Sequence, residues 1–348
     1  MRHHIRARTV RVVAAALAGA MACVPSGCGL FRGEGKGNTT AANTGASVEP
    51  AARSRANAGE LVNKAGQARA EGDREEAIRL LAAAIEKNPT LTVAHMQIGD
   101  LYLEDSNPEA ALSHFDSVAK REPSNFDAHF KSGYALQLLN RLGEAVRSYL
   151  RALSIQPDDF QANQNLATAY LQLKEPAAAL PYAERAVTIR ATSGAARANL
   201  GSVLTSLDRH EEAVREYRAA AELMDMTPQL LLNLSESLGK LGRFEEMAAT
   251  LDQLVATKPG AAAYERLGFA RFKLRQFPQA QEAFRQAVML DQAHYPALNG
   301  LGVCLLNDYI ASQKTNEDAR RDGLNFLRQS LRINRAQPKI LELVNRYD

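Results

Sequence analysis

Tryptophan is absent from the 348 residues, and aromatic residues make up only 6% of them. Cysteine is nearly absent too: two of three, Cys23 and Cys28, fall in the first 28 residues, so Cys304 is the single thiol of the body. One cysteine builds neither a disulfide framework nor a Cys/His zinc site. No stretch after Ala22 reaches the roughly 18 apolar residues that a membrane span requires. The excess of basic residues is also small. Of the 42 basic residues, Arg2, Arg6, Arg8 and Arg11 precede residue 29, which leaves 38 against 39 acidic ones. Without a basic patch to displace counterions from phosphates, a nucleic-acid partner is excluded. The GxSxG, HExxH and nucleotide fingerprints are missing. The run Gly33 to Gly37 (GEGKG) fails as a phosphate loop, because Leu30 stands where the first glycine belongs and Gly37 where Ser or Thr must bind the metal. The chain therefore reads as noncatalytic, with no cofactor, no metal and no small-molecule substrate.

What is present is globular composition, 46% hydrophobic and 23% charged, with length for two or three ordinary domains or one array. Residues 1–28 open with a basic stretch that has no acid. Val12 to Ala22 then run apolar and unbroken, too short for a permanent span. The following segment AMACVPSGC resembles the signal of bacterial lipoproteins, in which a cysteine after small residues carries the lipid. Cys28 follows Ser26 and Gly27, and Cys23 follows Gly19 to Ala22; either is the implied lipidation site, Cys28 being favoured for its Ser-Gly-Cys ending. The alternative is ordinary cleavage near Ala22, giving a soluble periplasmic or secreted product. With no aspartate after either cysteine, the resemblance implies the bacterial cell envelope, on the periplasmic side of the outer membrane, with contact to the membrane through the lipid only. Residues 29–57 are rich in Gly, Ala, Ser, Thr and Asn and read as a flexible linker.

From residue 58 the chain repeats every 34 residues. Units start at Ala58, Thr92, Phe126, Phe160, Gly194 and Pro228, then at Ala261, one residue early, and at Tyr295 with an insertion. Position 8 is always small: Ala65, Gly99, Gly133, Ala167, Gly201, Ser235, Gly268 and Gly302. Positions 20 and 27 are mostly alanine, with Met247 and Leu254 in unit six breaking the rule. Position 24 supplies bulk, except at Ala183. Pro89, Pro123, Pro157 and Pro259 close four units. Small residues at fixed spacing let two helices of a hairpin approach closely, and bulky ones fill the holes beside them. About nine extra residues around Ser312 to Arg320 are expected to separate the helices of unit eight. A last helix, Lys339 to Arg346, would cap the array with Leu341, Leu343 and Val344.

This pattern is similar to the tetratricopeptide repeat over residues 58–335. The resemblance implies an all-α fold, an α-α superhelix of eight helix-turn-helix repeats (58–91, 92–125, 126–159, 160–193, 194–227, 228–260, 261–294 and 295–335) with a capping helix in 336–348. It further implies a concave groove lined by positions 2, 5, 6, 9, 12 and 13 of the first helices. Position 6 reads Asn63, Gln97, Lys131, Asn165, Asn199, Asn233, Arg266 and Gly300, a near-continuous row of donors able to grip an extended peptide; asparagine is also common there for structural reasons. Phe130, Tyr134 and Phe269 are candidate anchors beside it. Position 2 lacks the lysines of the carboxylate-clamp members. His95 and His129, both at position 4, are expected to pack against the partner helix, not to bind metal. The expected function is a protein-interaction scaffold of the envelope. Alternatives are a pilotin-like assembly lipoprotein for pili or outer-membrane complexes, and a regulatory subunit of an envelope enzyme.

Overall fold

The computed structural model describes residues 49–348; the stretch read as a signal, with Cys23 and Cys28, and the stretch read as linker as far as residue 48 lie outside the described residues. Within them are seventeen helices and no strand. The first helices of the repeats are α1 (Glu49–Glu71), α3 (Thr92–Glu104), α5 (Phe126–Leu138), α7 (Phe160–Gln172), α9 (Gly194–Ser206), α11 (Pro228–Lys240), α13 (Ala261–Lys273) and α15 (Tyr295–Ala311). The second helices are α2 (Arg74–Lys87), α4 (Pro108–Arg121), α6 (Leu142–Ile155), α8 (Pro176–Ile189), α10 (His210–Leu223), α12 (Phe244–Thr257), α14 (Phe277–Leu290) and α16 (Glu317–Ile333), with α17 (Pro338–Tyr347) last. Seven of the eight first helices begin on the residue from which the 34-residue period was counted. The exception is α1, which opens at Glu49, inside the stretch read as linker; Pro50 in its first turn and the alanines after it are helix-compatible.

Local chemistry sets the helix ends. Asn125, Asp159, Ser193 and Thr227 cap first helices by accepting the N–H three residues on, at 2.7–3.3 Å. The first seven hairpins each turn through one left-handed residue at position 15, Gly72, Ser106, Asn140, Lys174, Asp208, Gly242 and Arg275, and the eighth turns through two, Gln313 and Lys314. The next N–H then reaches five residues back, as from Arg141 to the Leu136 carbonyl at 2.9 Å and from Glu175 to Tyr170 at 2.9 Å. That is the bond by which a left-handed residue ends a helix.

Packing follows the small-to-large seam. The residues at positions 20 and 27 are all buried, and so are the bulky ones at position 24. Where position 24 is aromatic, position 8 is glycine: Gly99 faces Phe115, Gly133 faces Tyr149, Gly201 faces Tyr217 and Gly268 faces Phe284. Repeats one, four and six carry Ala65, Ala167 and Ser235 opposite the smaller Leu81, Ala183 and Leu251. In repeat six the bulk of Met247 is taken up by Gly239, whose added Cβ would stand 3.0 Å from Met247 Sδ. Position 4 links successive repeats. His95, His129, Asn163 and Arg197 each bond the carbonyl six residues back, Pro89, Pro123, Pro157 and Ala191, at 2.9–3.1 Å.

Two details differ from expectation. Only residues 312–316 separate α15 from α16, because the insertion mostly lengthens the helices, to 17 residues each against 13 and 14 in repeat three. An added Cβ on Gly302 or Gly323 would stand 2.9–3.0 Å from the other's carbonyl oxygen, so this longer pair still closes on small residues. In α17, Leu341 points outward. The covering stripe is Ile340, Leu343, Val344 and Tyr347, the i, i+3, i+4, i+7 set of one helix face.

Candidate peptide-binding face

Successive first helices touch one another directly, α5 with α7, α7 with α9, and so on to α13 with α15. Their like-numbered positions therefore stack, and position 6 of one repeat meets positions 5 and 9 of the repeat before. Lys131 Nζ sits 2.7 and 2.8 Å from the Asp100 carboxylate. Asn199 Nδ2 donates to the Gln164 carbonyl and to Thr168 Oγ1, both at 3.3 Å. Asn233 Nδ2 donates to Ser202 Oγ at 3.2 Å. Arg266 Nη1 donates to the Leu232 carbonyl at 2.9 Å, and its Nη2 lies 3.5 Å from Glu236. Four of the seven donors, Lys131, Asn199, Asn233 and Arg266, are thus engaged between repeats.

The partners match by type. An acid at position 9 meets a cation at the next position 6, and a hydroxyl meets an amide. Where position 9 offers no acceptor, the brace is missing: Gly66 precedes Gln97, and Phe269 precedes Gly300. Tyr134 precedes Asn165, and the buried Tyr149 hydroxyl donates to Gln137 Oε1 at 2.9 Å. Asn63, with no repeat before it to brace, is exposed, and Gln97 is half-buried. Reading position 9 of each repeat against position 6 of the next is the sequence signal that finds these braces.

Position 9 also carries two aromatic residues that reach solvent, Tyr134 at 42% exposure and Phe269 at 39%. Phe130 is different: it is half-buried, 5.8 Å from Phe126 in a parallel stack and 5.9 Å from Tyr149, and forms a wall. Two clefts flank Phe269. One, about 360 Å³, lies toward repeat six beside Glu236, Gly239 and Arg266; the other, about 250 Å³, lies toward repeat eight beside Glu265, Asn299 and Gly300. Lys273 Nζ stands 5.4 Å from the centre of the Phe269 ring. Burial pushes the Glu265 carboxyl above its ordinary range, against the opposing pull of His294 and Arg266.

The histidines of position 4 are not brought together. His95 instead meets His114 of α4, Nδ1 to Nδ1 at 3.1 Å, while its Nε2 faces the Pro89 carbonyl. A carbonyl only accepts, so His95 carries its proton on Nε2, and its bare Nδ1 accepts a hydrogen bond from the Nδ1–H of His114. Cys304 is a buried free thiol among Ala280, Phe284 and Leu301. No helix among the described residues is long and apolar enough to cross a membrane.

Sequence comparison agrees with the geometry. Descriptions of the tetratricopeptide repeat match residues 96–160, 139–196 and 266–320, and a second such description matches residues 195–223. The chain is 31% identical over 102 residues to the tetratricopeptide repeat-containing protein trd-1 of Caenorhabditis elegans, a match covering 29% of this chain and 13% of that protein's length. Among solved structures, a tetratricopeptide repeat protein from Parabacteroides merdae superposes with a TM-score of 0.52 at 18% identity, covering 72% of this chain and 99% of its own. Pseudomonas aeruginosa pilF does so with a TM-score of 0.51 at 20% identity, covering 62% and 97%. At these identities the likeness is one of fold.

Proposed function

We propose that this chain, which carries tetratricopeptide repeats along its helical array, is a noncatalytic scaffold that holds an extended segment of a partner protein against the face made by its first helices. The observation that carries this reading is the pair of clefts on either side of the exposed Phe269, with Tyr134 standing at the same repeat position four units earlier. Exposed aromatics beside clefts are the anchors from which protein interfaces draw most of their energy. The donors at position 6 hold the repeats in register, so they shape the face and leave gripping to the position-9 and position-5 side chains around them.

The scaffold works in the bacterial cell envelope, tethered through lipid on Cys28 or Cys23 to the periplasmic side of the outer membrane. Support for this comes from the basic start, the short apolar run and the small residues before each cysteine. Co-purification from detergent-solubilised envelope tests the binding reading. The partner bound by the unaltered protein should be lost from Tyr134→Ala/Phe269→Ala while helical content is unchanged; retention of the partner would contradict it. Intact-mass analysis of the membrane fraction tests the anchor, which requires a diacylated cysteine. A single dominant pilus or secretin partner would move the reading to an assembly lipoprotein, and activity conferred on an envelope enzyme would move it to a regulatory subunit.

A further inference from the structure

Position 6 braces its repeat onto the one before through Lys131, Asn199, Asn233 and Arg266, but in repeat eight that position is Gly300 and the brace is absent. The space it would use is partly taken by Phe284, whose Cε1 would lie 2.3 Å from a Cβ on Gly300. Beside that ring the cleft of about 250 Å³ stays open, a volume suited to one long side chain. Its rim carries acceptors in want of donors. Among the described residues Glu265 has no hydrogen-bond or ion-pair partner, and its neighbour Arg266 is already committed to Leu232 and Glu236. Asn299, stacked over Glu265 at position 5, gives its Nδ2 to Gln337 at 2.6 Å, while its buried Oδ1 accepts from nothing among the described residues. Unsatisfied buried acceptors in a native fold call for an explanation. The walls, from Phe269, Phe272 and Val303, are apolar and aromatic.

We propose that this cleft is a socket for an arginine side chain of the bound partner segment, which supplies from outside the cationic brace that Arg266 supplies from within one repeat earlier. A guanidinium suits the socket because it is planar, stacks on aromatic rings and carries five donors for Glu265 and Asn299. The proposal rests on the reading of the first-helix face as a binding face. Two other titratable groups act on Glu265, and a third lines the cleft. Arg266 and His294 favour its ionised form. Lys273, the cation lining the cleft, repels an incoming guanidinium. Arrival of the arginine draws the carboxyl into its ionised form, so affinity falls as pH drops through the raised Glu265 range.

The test is titration of the purified protein with N-acetylarginine methylamide, read from the methyl resonances of Val303. The norleucine analogue, which keeps the apolar stem and loses the charge, serves as the comparison. Saturable shifts with arginine are expected, weaker by roughly tenfold or more with norleucine or in Glu265→Gln, the usual scale for a charge-assisted hydrogen bond. Lys273→Met should tighten binding. Equal affinity for both probes, an unaffected Glu265→Gln, or weaker binding in Lys273→Met would each overturn the socket. If the partner still depends on Tyr134 and Phe269 while arginine fails, the socket alone falls. If neither holds, the binding face falls with it.

Discussion

Gly133 and Tyr149 form a fitted contact: a Cβ placed on Gly133 would stand 2.7 Å from Tyr149 Cδ1. The ring lies flat against α5 because the glycine has no side chain to hold it off. Gly133→Ala should therefore destabilise the protein by about 1–3 kcal/mol through overpacking, less the better helix propensity of alanine, up to about 1 kcal/mol. Adding Tyr149→Leu recreates the Ala65 and Leu81 pairing of repeat one and should recover much of the loss. Urea unfolding of both single variants and the double variant measures the coupling; simple additivity would show that the two residues are not matched.

The braces between repeats predict losses of their own. Asn199→Ala and Asn233→Ala should each cost about 1 kcal/mol, the usual net value of a hydrogen bond. Asn63→Ala, at an exposed position with no preceding repeat, should change nothing measurable. Denaturation midpoints that fail to separate Asn199 and Asn233 from Asn63 would remove the bracing role.

His95 and His114 make stability depend on pH. Burial lowers the pKa of both below 6.5; at His95 the Pro89 carbonyl opposes this and Arg121 adds to it, and at His114 the His95 ring adds to it. Their folded-state pKa values lie below the unfolded value, so the unfolded chain binds more protons as pH falls. The contribution of the pair is complete above about pH 6.5 and declines as pH drops below it toward the folded pKa values. Thermal melts at pH 8 and pH 5 should show the decline, and His114→Gln should flatten it. A slope unchanged in that variant would assign the effect elsewhere.

Cys304 should be inert. Burial, with Asp308 adding a smaller effect, pushes its thiol up to about 12, so almost no thiolate exists near neutrality. A thiol-exchange reagent should label it only as fast as the protein unfolds, and rapid native labelling would show repeat eight to be open.

The hairpin spacing and the small-to-large seam were legible because each is a recurrence at fixed register: Gly99, Gly133 and Gly201 repeat like a printed motif. The turns were less so. Lys174 and Arg275 adopt left-handed backbone without the glycine that marks such positions, because the hairpin closing around them enforces it. The His95 and His114 pair joins position 4 of one helix to position 23 of the next, and no repeat-wise comparison puts them side by side. The position-6 row was visible, but its engagement was not, since a single column hides a partner that lies in another column one repeat earlier. Leu341 was misplaced for a plainer reason: it is Ile340, one residue earlier, that shares a face with Leu343, Val344 and Tyr347.

Photo-crosslinking decides most directly whether the first-helix face is where a partner lies. A benzoylphenylalanine at Phe269 or Tyr134 should join the protein to one partner segment, and the same probe at the exposed Leu150 of α6 should not. Crosslinks that form from Leu150 and fail from Phe269 and Tyr134 would place the partner on the second helices and contradict the account.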